Sequence, residues 1–300
     1  ITASESFDAF LPRITLDHQV SDNHMIYGLV ATGTKPGGFN GATAIIAGRP
    51  SYEEEEVVSL EFGSKNVAFE GQLVANFALY YNQVEGYQLT QNARTLTNTV
   101  SATVNAGDAD ILGLEAEFVY RPANLEGLTL SANYAFTNAE FVAGSDENLG
   151  LLQDVADDGL VNCSQGNEFP EDPGCTSAFG SLKGQKIPRV SEHQFFVDAE
   201  YRGEMGGDWD WFVGANFSHE TSRYAQVVNL AETGDMSLVN ARLGFTNGRW
   251  FFQLWGRNLT DEDTSPLVLR YADGLDSFKR SFVGTARRPA HFGITASVNF

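Results

Sequence analysis

The chain has 300 residues, and 19 Lys+Arg against 39 Asp+Glu leave a formal charge of −20, which repels phosphate backbones and sets nucleic-acid binding aside. Aromatic residues make up 12%, too many for a disordered acidic chain, while Gly runs high at 30 and Pro is sparse at 9. No apolar run reaches the roughly 18 residues of a membrane helix, but a membrane barrel hides from that test because its strands alternate polar and apolar residues.

The opening Ile1-Thr2-Ala3-Ser4-Glu5 has no initiator Met and no basic-then-apolar leader, as expected of a mature or truncated chain. From there the pattern has a period of two. Strands are expected near 9–19, 24–33, 56–66, 70–84, 99–121, 126–141, 188–202, 208–222, 236–247, 249–259 and 288–300. In the fourth, Leu73, Ala75, Phe77, Leu79 and Tyr81 share one face, and Asn76, Ala78, Tyr80 and Asn82 share the other. The sixth sets Leu128, Leu130, Ala132, Tyr134 and Phe136 against Thr129, Ser131, Asn133 and Thr137. The last sets Ala290, Phe292, Ile294, Ala296, Val298 and Phe300 against His291, Gly293, Thr295, Ser297 and Asn299. A helix would repeat every 3.6 residues, so the fold class is all-β.

The links between strands alternate in length. Short ones are expected at 20–23, 67–69, 122–125, 203–207 and at Asn247-Gly248, the strongest hairpin dipeptide in the chain. Long ones are expected at 34–55, 85–98, 142–187, 223–235 and 260–287. Strands of 10 to 23 residues exceed the usual 5–6 of soluble sheets, and sorting of loops by length to opposite ends belongs to outer-membrane barrels. The expectation is an antiparallel transmembrane β-barrel, its apolar face toward lipid and its polar face toward the lumen. Trp209, Trp211 and Trp250, each beside a short turn, fit an interfacial aromatic girdle. Eleven strands is an odd number, whereas bacterial single-chain barrels use even ones, so at least one further strand is expected upstream.

Several segments resemble TonB-dependent outer-membrane receptors. Tyr27-Gly28-Leu29-Val30-Ala31-Thr32-Gly33-Thr34-Lys35-Pro36-Gly37-Gly38-Phe39-Asn40 resembles a strand of that family running into its Pro-Gly-Gly-Phe-Asn loop entry. Glu61-Phe62-Gly63-Ser64-Lys65, Asn105-Ala106-Gly107 with Gly113-Leu114-Glu115-Ala116-Glu117, Gly256-Arg257-Asn258-Leu259-Thr260-Asp261, and Arg288-Pro289 to Asn299-Phe300 follow in the family's order. The resemblance implies a barrel of 22 strands, of which residues 1–300 would be the C-terminal half, with a plug domain and the first half-barrel upstream. It implies energised uptake of a scarce nutrient such as a ferric siderophore, TonB contacted through the plug, and residence in the bacterial outer membrane. The expected partners are outer-membrane lipid, the nutrient ligand and the barrel assembly machinery. A passive porin is the alternative, and a soluble lectin or adhesin a third reading.

Chemistry-bearing motifs are absent: no G-x-S-x-G, H-E-x-x-H, P-loop or G-x-G-x-x-G occurs, and the five His are scattered, so neither an enzyme, a cofactor nor a metal site is expected. Lumen positions are expected for Asn76, Glu115, Glu117, Asn133, Arg242 and Arg257, the two arginines pairing with acids. Ligand contacts are sought among aromatic and cationic residues on the long-loop side: Tyr87, Arg94, Phe169, Phe179, Tyr224, Arg270 and Tyr271. Cys163 and Cys175 have no His nearby to complete a metal site and are expected to form a disulfide, worth about 3 kcal/mol for such a short loop. Phe292, Ile294, Ala296, Val298 and the terminal Phe300 resemble the outer-membrane assembly signal. Deleting Phe300 from the full-length protein is expected to lower its outer-membrane level. Unchanged levels with normal heat-modifiable migration on gels would overturn that role.

Overall fold

The structure is a computed structural model, describing residues 4–94, 99–146, 180–273 and 279–300. In chain order its elements are β1 (Arg13–Ser21), β2 (His24–Lys35), β3 (Gly38–Phe39), α1 (Ala42–Ile46), β4 (Ser51–Tyr52), β5 (Glu55–Ala68), β6 (Leu73–Arg94), β7 (Thr99–Tyr120) and β8 (Leu128–Phe141). They continue with β9 (His193–Gly206), β10 (Trp209–Glu220), β11 (Met236–Thr246), β12 (Trp250–Arg257), β13 (Val268–Asp273), β14 (Lys279–Gly284) and β15 (His291–Val298). Eleven of them form one antiparallel sheet in the order β1-β2-β5-β6-β7-β8-β9-β10-β11-β12-β15. Each wall strand lies beside its predecessor, as a meander closing into a barrel requires. The wall is open, because β1 and β15 stand at its two ends and do not pair with each other.

The two faces differ in what they carry. On one, Phe62, Leu254 and Ile294 stay 58%, 54% and 78% exposed, beside Leu16, Leu60, Leu79, Leu114, Leu243 and Phe292. A soluble sheet would bury such a band; in a barrel it faces lipid. Trp209 stacks on Phe252, Trp250 stacks on the same ring, and Trp211 tilts against Tyr201, all on this face at the short-turn end. The other face is polar, and the register lines up a single row along it. Lys65 stands opposite Asn76, Asn76 opposite Glu117, Glu117 opposite Asn133, Asn133 opposite Phe196 and Phe196 opposite Ser218.

One expected loop is mostly strand. Residues 85–94 continue the ladder, so β6 and β7 are 22 residues each, about twice what crossing the hydrocarbon needs. The alternation was hidden by a bulge. Val84 pairs with Ala109, and the register then shifts before Tyr87 meets Gly107 and again before Gln88 meets Asn105. Val84 is an even-numbered inward residue, whereas above the shift the odd-numbered Tyr87 and Leu89 pack inward with it. Gly86 adopts a left-handed φ of 65°, and Gly107 lies so close to the Ala143 carbonyl that a Cβ would sit 2.1 Å from it. The long link 258–290 likewise contains the hairpin β13–β14, which its sequence did not announce.

Within the wall, large inward side chains lie across glycines on the adjacent strand. Tyr80 faces Gly113, where a Cβ would be 2.0 Å from the ring, and the Tyr80 hydroxyl meets Thr137 Oγ1 at 3.2 Å. Tyr27 over Gly63, Phe212 over Gly244 and Trp255 over Gly293 repeat the device. Gly113→Val in the full-length protein is therefore expected to push Tyr80 off its seat and destabilise the barrel by about 1–3 kcal/mol. The temperature of the heat-modifiable gel shift measures this, and in a Tyr80→Ala background the same substitution is expected to cost little further. Equal losses in both backgrounds would show that the ring is not what the valine meets.

Candidate functional site

The polar face lines a recess of about 710 Å³ that includes Tyr27, Lys65, Asn76, Glu115, Glu117, Asn133, Gln194 and Glu220. Asn76 Nδ2 donates to Glu117 Oε2 at 3.1 Å, and the Tyr27 hydroxyl donates to Glu61 Oε1 at 2.7 Å. Further along the wall, Arg242 lies across Gly214, where a Cβ would come within 2.8 Å of the guanidinium carbon. The missing side chain lets the guanidinium reach two strands away. Its Nη1 and Nη2 donate to the two oxygens of Asp198 at 2.8 and 3.0 Å, and Nη2 donates to Glu200 Oε2 at 2.7 Å. Arg202 closes the group from the other side with 2.6 Å from Nε to Glu200 Oε1. This is bidentate, networked pairing rather than a lone surface ion pair. Arg257 stands at an inward position and lies 5.0 Å over the Trp255 ring, a cation–π contact; among the described residues no carboxylate pairs with it.

At the long-loop end the inward face turns apolar. Val84, Ala106, Ala109, Ala139 and Phe141 of the wall pack with Leu182, Ile187, Val227 and Val228 from the two long links. Residues 182–187 extend the pairing along β8, with Phe141 N donating to Gln185 O and Ile187 N to Ala139 O. The link 221–235 is tied to that segment in turn, because Asn229 Oδ1 accepts from Lys186 N at 2.6 Å while its Nδ2 donates back to Lys186 O at 3.0 Å.

Above this packed layer lies a recess of about 470 Å³ between the β6–β7 ribbon and the links. Tyr87, Leu89, Thr90 and Gln91 form one side, Pro188, Arg189, Ala225–Val228 and Leu269 the other, with Asp146 buried between. Tyr87 is fixed by an edge-on contact with Phe141, ring centroids 5.3 Å apart. Gln226 Nε2 is inaccessible and without a partner among the described residues, a donor left to be satisfied. Such a surface, with apolar and polar groups in similar measure converging on one cavity, can hold a small ligand.

Of the residues chosen from sequence, Tyr87 lines this recess. Tyr224 lines a separate one of about 280 Å³ with Glu192, His193 and Glu232, and its carbonyl accepts from Arg189 N at 2.9 Å. Arg270 and Tyr271 lie in β13, next to Leu269, and Arg94 ends β6 opposite Thr99. Phe169, Phe179, Cys163 and Cys175 lie outside the described residues. Sequence reasoning missed Arg189 and Gln226. Nothing local marks them, since Arg189 is aimed by a left-handed φ of 66° and Gln226 by the fold of its link.

The link leaving β12 is held by a polar clamp. Asn258, only 4% exposed and at φ 53°, donates through Nδ2 to Glu262 O and Arg288 O and accepts from Glu262 N at 2.8 Å. The Glu262 carboxylate accepts from Thr264 N at 2.9 Å and Ser237 N at 3.1 Å.

Residues 1–259 match the family described as TonB dependent receptor-like, beta-barrel. Among solved structures, the chain is similar to the ferric yersiniabactin uptake receptor FyuA from Yersinia pestis (18% identity, TM-score 0.68, 97% of this chain and 37% of that one). It is also similar to the siderophore receptor PiuA from Acinetobacter baumannii (15%, 0.63, 95% and 35%) and to the copper transporter OprC (14%, 0.64, 96% and 40%). At these identities the likeness shows the fold, and the chain spans well under half the length of each.

Glu262 supplies a pH dependence. Hydrogen bonds from the Thr264 side chain, then from the Thr264 and Ser237 amides, with the charge of Arg287 adding, hold its pKa down at about 2. A depressed carboxylate stabilises the clamp at pH values above the ordinary Glu range, and that contribution is lost as pH falls from about 4.5 toward 2. Amide exchange in 259–268 of the full-length protein is expected to rise between pH 5 and pH 3 by more in wild type than in Glu262→Gln, after correction for intrinsic rates. Equal rises would remove Glu262 from the clamp.

Proposed function

We propose a function from one premise: the chain belongs to the TonB-dependent receptor β-barrel family. Members are outer-membrane proteins of Gram-negative bacteria, and the family and its solved neighbours are transport receptors, not enzymes. On this reading residues 1–300 are the C-terminal part of a 22-stranded barrel, and the plug and remaining strands come from upstream sequence. The chain contributes wall and mouth loops to energised uptake, TonB acts through the plug, and the apolar band sits in outer-membrane lipid. The terminal strand β15 and the two residues that follow it to Phe300 are offered to the barrel assembly machinery.

The observation that supports capture rather than passive flow is the mouth recess with Tyr87, Arg189 and Gln226 converging above the polar wall. An aromatic face, a cation and a buried amide donor suit an organic ligand rich in acceptor oxygens. The names of two neighbours, a ferric yersiniabactin uptake receptor and a siderophore receptor, agree with a ferric siderophore or a similar large chelate. The passive porin is the weaker reading, because the family to which the chain belongs is one of receptors.

The test uses the full-length protein in cells lacking other iron receptors, supplied with iron-55 as a panel of ferric siderophores. Uptake of one member is expected to depend on the protein and to stop when the proton gradient is collapsed. Tyr87→Ala with Gln226→Ala is expected to raise the half-saturating concentration about tenfold, at unchanged surface level. Uptake that survives collapse of the gradient would make this a passive pore.

A further inference from the structure

A link as long as the one between β2 and β5 has the length of a movable lid. Its bonding points the other way. Gln88, 8% exposed on the β6–β7 ribbon, donates through Nε2 to three carbonyls of this loop: Lys35 O at 3.2 Å, Pro36 O at 3.0 Å and Glu53 O at 2.9 Å. Its backbone amide donates to Glu55 Oε2 at 2.6 Å. On the facing strand, Asn105 Oδ1 accepts from Glu53 N at 2.8 Å, while Nδ2 donates to Glu53 O and Glu54 O across the gap and to Gly86 O beside the bulge.

Higher up, Asn40 pairs with Thr103 through two bonds. Its Nδ2 donates to Thr103 O at 2.8 Å and its Oδ1 accepts from Thr103 N at 2.9 Å. The carboxamide thus stands where a neighbouring strand's peptide group would. The loop is thus fastened to one ribbon at both its ends and at Asn40, and Ala44 of α1, 1% exposed, is buried.

We infer that the loop 36–54 is a fixed strut rather than a moving lid, and that Asn40, Gln88 and Asn105 weld it to the β6–β7 ribbon. The ribbon projects far above the hydrocarbon and would otherwise be a two-stranded hairpin, a structure marginal by itself in water. Braced by the strut, it presents Tyr87, Leu89 and Gln91 to the recess from a wall that does not yield. This meaning for capture rests on the mouth reading proposed above; the weld itself does not, and it is tested without ligand.

The experiment is hydrogen exchange on the full-length protein in detergent. In wild type, amides of 38–54 are expected to be protected to a degree similar to those of 99–107. Asn105→Ala is expected to speed exchange across 38–54 about tenfold or more while leaving 57–66 and 74–83 unchanged. Asn105→Asp, which keeps the acceptor but puts a charge against three carbonyls, is expected to loosen the loop further still. Should Asn105 variants fail to reach the membrane, Asn40→Ala, which cuts only the upper fastening, is expected to loosen 38–48 selectively. Free exchange of 38–54 in the wild type would overturn the strut, as would variants that leave it unchanged or that loosen the barrel strands equally. None of these outcomes depends on whether siderophore uptake is found.

Discussion

In hydrocarbon an unpaired backbone amide or carbonyl has no water to turn to, and each costs several kcal/mol. A wall that meets lipid must therefore be an unbroken ladder, and this requirement organises the rest of the molecule. It explains why eleven strands pair only with their sequence neighbours, why the outward side chains are apolar, and why bulky inward residues lie over glycines instead of bending the backbone. It also explains the inward polar groups. Once the backbone is satisfied within the ladder, side chains on the lumen face are free to bond one another, and Arg242, Asp198 and Glu200 do so across three adjacent strands.

The ladder rule relaxes where the strands leave the lipid. At Gly86 and Gly107 the β6–β7 pair takes a bulge that a membrane-embedded segment would tolerate poorly, and the parity of inward and outward residues reverses. Well below this point the inward side is a row of polar groups; around it, on both sides of the bulge, the inward side is the apolar layer built by Val84, Tyr87 and Phe141 with the long links. The bulge thus lies inside the layer where wall gives way to mouth. The same bulge puts Gln88 on the other side of the ribbon, where its carboxamide meets the carbonyls of the neighbouring loop.

This is also where sequence stops being legible. The alternation predicted eleven wall strands with ends within a few residues for most, and it assigned their faces as the register has them, because pleat and burial share one period. It failed for 85–94, where a change of phase looks the same as a loop, and for the hairpin β13–β14 inside a long link. The recess was half legible. Tyr87 could be chosen as an aromatic on the long-loop side, but Arg189 and Gln226 are aimed by contacts between links far apart in sequence. Periodicity put Arg257 on the inward face but could not show the Trp255 ring beneath it, because which side chain stands next to it is not encoded in the alternation.

The motif residues that carried the family resemblance have a common structural job. Asn40 bonds a residue 63 positions away, Asn105 holds the foot of the same loop, and Asn258 binds Glu262 and Arg288 at the exit of β12. In each case a carboxamide, able to donate and accept at once, substitutes for the strand partner that the backbone loses where the ladder ends. Asp would offer only acceptors and Ser too short a reach, so the chemistry of the position selects Asn or Gln. Fasteners of this kind are independent of what is carried, because they face carbonyls of the protein itself. On the function proposed above, discrimination between ligands falls to residues such as Tyr87, Arg189 and Gln226, which line the recess while the clamps hold the backbone beneath them. On that proposal, exchanging a few recess side chains alters what is captured and leaves the fasteners, which face the protein's own carbonyls, in place.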